Sequence, residues 1–161
     1  MQADFCAELL QKLHAQGIHT AVDTCGMVSA QTLQAVMPYT DLFLYDVKSM
    51  DSDTHKKYVG VGNERILENL AKLLQSGKAV WIRIPIIPGF NDTVEDMQAI
   101  RAFLDLHGSP ERIELLPYHA MGEHKYEALG KATQRFSVPS PTSLEAFKQI
   151  VEGSGLHRAN F

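Results

Sequence analysis

Apolar and polar positions along this chain repeat with two periods. Between residues 4 and 16, Phe5, Leu9 and Leu13 recur at the spacing of one helical face, and Gly17 stands where such a helix would end. Ile18 to Asp23 (IHTAVD) predicts a short strand. Ser29 is placed to cap a helix running to about Met37, and Pro38 stops it. Asp41 to Val47 (DLFLYDV) predicts a second strand, apolar enough to be buried on both faces. Asn63 is placed to cap a helix whose inner face carries Ile66, Leu70 and Leu73, with Leu67 and Leu74 beside them and Gly77 following. Ala79 to Ile87 (AVWIRIPII) predicts a third strand, with Pro85 near its end or on an edge because proline cannot donate to the ladder. Asp92 and Glu95 read as a capping pair for a helix carrying Met97, Ile100, Phe103 and Leu104. Arg112 to Leu116 (RIELL) predicts a fourth strand, and TSLE at Thr142 a capping box for a last helix with Leu144, Phe147 and Ile150 inward. Residues 118–139 are polar and irregular, as a surface segment would be.

Strands that alternate with helices predict parallel β/α units, and no composition break divides residues 1–161. The expected fold class is therefore α/β, a single domain built as a partial (β/α) barrel of roughly four parallel strands with flanking helices. That is too few for a closed barrel. A half-barrel or open curved sheet leaves edges to be paired or covered.

Composition then narrows the partners. A net charge of −4 and a pI near 5.9 argue against a nucleic-acid footprint or an anionic membrane. No apolar run approaches the roughly 20 residues that span a bilayer, and the start of the chain, with Asp4 and Glu8, has no signal-peptide pattern. The two cysteines, Cys6 and Cys25, are unclustered, which suggests a reducing cytoplasm.

The candidate chemistry gathers where strands end. Asp23 and Thr24 close the first strand, Asp46 and Lys48 the second; Arg83 lies late in the third, and His119 follows the fourth. In β/α folds these ends converge on one mouth. Each residue also has a plain reading. Asp23 is placed for a turn. Asp46 and Lys48, two apart on a strand, face the same way and suit an ion pair. A single His119 suits a structural hydrogen bond. Arg83 is harder to dismiss, since a guanidinium in an apolar strand needs an acidic partner or a ligand. The other histidines, His14, His19, His55, His107, His124 and His157, lack metal-ligand spacing. Gly60–Val61–Gly62 and Pro88–Gly89 read as turns, residues 121–126 (MGEHKY) as a solvated loop, and no GxSxG elbow occurs.

These positions fall within longer words: GIHTAVDTCG at 17–26, YDVK at 45–48, KYVGVGNERILENL at 57–70, VWIRIPIIPGFND at 80–92, IELLPYH at 113–119 and GEHKYEALG at 122–130. In them the chain resembles the glycyl radical enzyme activating enzymes of the radical SAM superfamily, most closely those for pyruvate formate-lyase. The resemblance implies S-adenosylmethionine bound to a 4Fe-4S cluster, whose reduction yields a 5′-deoxyadenosyl radical. That radical takes hydrogen from a backbone glycine of a partner enzyme. It further implies a glycyl radical partner such as pyruvate formate-lyase, a reductant such as flavodoxin or ferredoxin, a cytoplasmic setting and anaerobic metabolism. Carried over by position, Lys48 would neutralise the cofactor's carboxylate and Asp46 order it, His119 would approach from the last strand, and Asp23 and Arg83 would complete the pocket. Asp23, Thr24 and Asp46 would form an oxygen-rich patch for a monovalent cation. No residue of this chain is implied as catalytic.

One departure is large. The CxxxCxxC signature and the GGE motif of that family do not occur, and two cysteines cannot supply three thiolates. No iron–sulfur ligand is expected in this chain, which reads as the later part of an activating enzyme, inactive alone. A non-catalytic docking protein for a glycyl radical enzyme is the alternative. A Schiff-base lyase using Lys48 is a weaker one, because Asp46 nearby would keep Lys48 charged.

Overall fold

The computed structural model describes residues 2–120, 125, 128–130 and 136–153. The expectations for residues 121–124 and for most of 122–130 lie outside them. Helix α1 (Ala3–Ala15) leads to β1 (Ala21–Thr24), and α2 (Ala30–Val36) with a 3₁₀ turn (Met37–Tyr39) leads to β2 (Leu42–Asp46). Then follow α3 (Ser52–Val59), α4 (Glu64–Gln75), β3 (Ala79–Ile86), α5 (Val94–His107), β4 (Arg112–Pro117) and α6 (Pro141–Glu152). The four strands pair in the order β1-β2-β3-β4, all parallel.

That order has a consequence. Neighbouring parallel strands joined in sequence by right-handed crossovers carry their helices on one side of the sheet. The helix side here is sealed: Phe43, Tyr45, Val47, Val80, Ile82, Ile84 and Ile86 are no more than 1% exposed. The alternate positions, Leu42, Leu44, Asp46, Trp81, Arg83 and Pro85, are all only half-buried. The expectation that β2 is buried on both faces is therefore corrected: its pattern alternates, and among the described residues no second helical layer seals the other face.

Most elements fall where the periodicity puts them, with local corrections. Ser29 caps α2, accepting from the Thr32 amide at 3.1 Å. On α1 the buried residue is Leu10, with Cys6 and Ala7 packed against the core. Phe5 (63%) and Leu9 (44%) are exposed, so the inner face is rotated from the expected stripe. Helix α3 was not anticipated, for it has no apolar stripe and His55 is its only buried residue. Asp51 starts it by accepting from the Thr54 amide at 2.7 Å. The capping box of α5 is Thr93 with Asp96, one residue past the expected pair, because the Asp92 carboxylate instead closes the turn at Gly89 at 2.7 Å. Helix α6 starts at Pro141 under a Ser140 cap, earlier than Thr142, since proline is already set for a first helical position. Pro85 is the penultimate residue of β3, near the strand end as expected.

Candidate functional site

Because all four strands run parallel, their C-terminal ends share one rim. The register sets Asp46 beside Arg83 and Arg83 beside Glu114, and Asp23 opposite Leu44 one step lower. Arg83 joins the first two strands' acids. Its Nε donates to Asp46 Oδ1 at 2.9 Å and its Nη2 to Asp23 Oδ1 at 2.5 Å. Burial works against the guanidinium charge, but the hydrogen bonds that Arg83 donates to Asp23 and Asp46 outweigh it and leave the Arg83 pKa raised. The acidic partner demanded by an arginine in an apolar strand is present twice over.

The geometry adds detail to three expectations about this rim. The Thr24 side chain points to the face opposite Asp23, as adjacent strand residues do. Its Oγ1 accepts from the Gly26 amide at 2.9 Å. The two acids expected to hold a monovalent cation both accept from Arg83, and one guanidinium against two carboxylates leaves the patch with one net negative charge. Asp46 and Lys48 form no ion pair with each other; Asp46 belongs to Arg83. Lys48 is half-buried, and its ammonium makes no ion pair with a described residue. His119 is exposed just past β4. All five expected pocket residues thus lie at or near one rim, three of them linked and Lys48 and His119 standing beyond.

Sequence reasoning missed a second group, the asparagines that hold the rim loops. Asn69 donates from Nδ2 to the Gly26 and Val28 carbonyls, both at 2.9 Å, fixing the loop after β1. Asn63 heads α4, but its amide donates to the Ser49 carbonyl at 2.8 Å rather than capping the helix. Asn91 donates to the Lys48 carbonyl at 2.8 Å and to Pro85 at 2.7 Å, and accepts from the Ile87 amide at 2.8 Å. The signal for Asn69 was legible: Ile66, Asn69, Leu70 and Leu73 make one continuous inner face. Gly26 is needed for a different reason. It sits at φ 73°, and a Cβ there would fall 1.6 Å from the Tyr45 hydroxyl, which donates to the Ile66 carbonyl at 2.7 Å. Lower on the open face, the Arg112 guanidinium lies 4.7 Å from the Trp81 ring centroid and pairs with Glu114 at 2.8 Å.

A family model described as the radical SAM superfamily matches residues 1–104. The chain belongs to the radical SAM superfamily. Among curated relatives, it is 34% identical over 165 residues to the pyruvate formate-lyase 1-activating enzyme of Escherichia coli (strain K12), covering 100% of this chain and 67% of that protein. It is 36% identical over 160 residues to the trans-4-hydroxy-L-proline dehydratase activating enzyme of Clostridioides difficile, covering 96% of this chain and 52% of the relative. Among solved structures, a domain of pyruvate-formate lyase-activating enzyme from Bacteroides vulgatus ATCC 8482 superposes with a TM-score of 0.81 at 33% identity, covering 96% of this chain and 88% of that one. The chain spans about half the length of several curated relatives it matches. The partial-barrel fold and the likeness to glycyl radical enzyme activating enzymes are both borne out.

The superfamily implies S-adenosylmethionine and a 4Fe-4S cluster, and the residues present fit them unequally. Cys6 on α1 and Cys25 after β1 are free thiols on separate elements. Among the described residues no three His, Cys, Asp or Glu side chains are grouped to hold a metal ion. This donor set does not fit a three-thiolate cluster. The open face does fit a zwitterionic ligand, with a Lys48 ammonium that pairs with no described residue beside an Asp46 carboxylate fixed by Arg83. No described helix is long and apolar enough to cross a membrane.

Proposed function

We propose that this chain forms part of an S-adenosylmethionine-dependent activating enzyme that places a glycyl radical on a partner enzyme such as pyruvate formate-lyase. The observation that carries this reading is the match along the whole chain to an activating enzyme at 34% identity. The arrangement of charges on the open face of the sheet supports it. The cofactor supplies the hydrogen-abstracting chemistry, and the residues of this chain bind and orient it. Lys48 neutralises the carboxylate. Asp46, held by Arg83, presents its second oxygen to a donor on the ligand. Asp23 anchors the far side of Arg83, and His119 closes the pocket from β4. The thiolates of the cluster come from outside these residues. A cytoplasmic setting, a flavodoxin or ferredoxin reductant, and partners other than nucleic acid or membrane belong to the same proposal.

The test uses the single tryptophan of the chain. Trp81 lies on the open face, one strand step below Arg83, so a ligand seated there changes its emission. Titration with S-adenosylmethionine is expected to give a saturable change, and Lys48→Ala to weaken it about tenfold or more, as loss of a charge-assisted contact does. A flat titration, together with no retention of a glycyl radical enzyme on the immobilised chain, would sink the reading. The cysteine count favours one alternative, a docking protein that retains the partner without turnover. Partner retention with no tryptophan response selects it.

A further inference from the structure

The segment leaving β2 is held by hydrogen bonds at successive residues. Ladder pairing between β2 and β3 ends with the Val47 amide donating to the Arg83 carbonyl at 2.9 Å. The next two carbonyls, those of Lys48 and Ser49, then receive side-chain amides in succession. Asn91, from the loop after β3, donates to Lys48 at 2.8 Å, and Asn63, at the head of α4, donates to Ser49 at 2.8 Å. Both asparagines are 2% exposed and Ser49 is 4% exposed. Asn91 is fully engaged, spanning Lys48, Pro85 and Ile87, so it cannot swing away without stranding buried backbone groups. Ser49 closes the segment by accepting from the Asp51 amide at 3.1 Å.

The backbone is thus clamped at the one residue of the rim whose ammonium has no ionic partner among the described residues. A long flexible side chain on a mobile backbone makes a poor carboxylate receptor, because each degree of freedom must be lost on binding. A displacement near 1 Å is enough to loosen such a contact. We propose that Asn63 and Asn91 are positioning residues, a pair of buried amides that set where Lys48 presents its charge to a ligand carboxylate. The inference rests on the cofactor reading for its ligand but not for its geometry.

The experiment measures the two separately. Amide hydrogen exchange across residues 47–50 is compared in the wild type, Asn91→Ala, Asn63→Ala and Asn69→Ala. Asn69→Ala removes an equally buried amide that holds a different loop, and so controls for general loosening. The clamp variants are expected to speed exchange in this segment about tenfold, and the control to speed it at 26–28 instead. Trp81 titration with S-adenosylmethionine then forms a double-mutant cycle of Asn91→Ala with Lys48→Ala. Coupling is expected, with Asn91→Ala weakening the wild type about tenfold and the Lys48→Ala background hardly at all. Exchange at 47–50 that responds equally to Asn69→Ala overturns the positioning role, and so do additive effects in the cycle. A wild type that fails to bind S-adenosylmethionine sinks the cofactor reading, and the exchange comparison still decides the clamp. If Asn91→Ala does not fold, Asn91→Asp keeps the acceptor for the Ile87 amide while losing both donors, and serves in its place.

Discussion

The two faces of the sheet use the same strands for opposite purposes. On β3, Val80, Ile82, Ile84 and Ile86 are no more than 1% exposed, while Trp81, Arg83 and Pro85 between them remain half-buried. The helix-facing side is uniformly aliphatic there and takes its stability from packing. The open side carries Asp23, Asp46, Arg83, Arg112 and Glu114, with Arg83 bridging Asp23 and Asp46 across three strands and Arg112 paired with Glu114 along β4. Burial and polarity are therefore divided within each strand, residue by residue. The division teaches that packing and surface charge can be altered almost independently on one strand.

The largest effect is expected from the sealed side. Ile84→Ala should cost about 3 kcal/mol in chemical denaturation, the usual toll for a buried aliphatic truncated in a packed core. Leu44→Ala, of similar size but on the open face, should cost under about 1 kcal/mol. Equal losses would erase the distinction between the faces. Next is Arg83→Met, which removes the link between Asp23 and Asp46. Its ion pairs are partly solvated, so stability should fall by about 1 kcal/mol. Binding of S-adenosylmethionine followed through Trp81 should fall by more, because Asp46 loses its fixed orientation. A variant that binds as well as wild type would show that the open face does not order the ligand.

The smallest expected effect is an acid dependence away from both faces. The Thr20 amide, then the Thr20 hydroxyl, hydrogen-bond the Asp41 carboxylate and hold its pKa below the usual carboxylate range. A depressed carboxylate contributes stability that is present above its unfolded pKa and lost as pH falls through its folded pKa. Asp41→Asn should therefore flatten the acid limb of a melting-temperature profile between neutral pH and pH ~3. An unchanged acid limb would place that dependence elsewhere, Glu64 being the next candidate, since the Ser52 hydroxyl also holds its pKa low.

Much of the fold was legible because its signals are local. The helices with a continuous apolar face, α4 and α5, start and stop close to where their periodicity places them. What failed locally was helix α3, which has no such face, and the inner side of α1, where Phe5 and Leu9 mimic a core stripe yet stay exposed. At the site, the residue types and the shared rim were readable from the strand ends. The pairing was not. Nothing in the spacing of Asp46 and Lys48 says that the acid turns to Arg83, 37 residues on, rather than to the lysine.

By itself the sequence determined the order of the four strands and of the helices with an apolar face, the family and the shortage of thiolates, because each is written in local pattern or in count. The tertiary structure alone decided that the described residues seal one sheet face and leave the other half-buried, that Arg83 takes both acids, and that buried asparagines grip the carbonyls of Lys48 and Ser49. These outcomes depend on register and on contacts between residues far apart in the chain, and the physical reason is simple. A periodic pattern says which face a side chain occupies, but only the packed sheet says what stands opposite it.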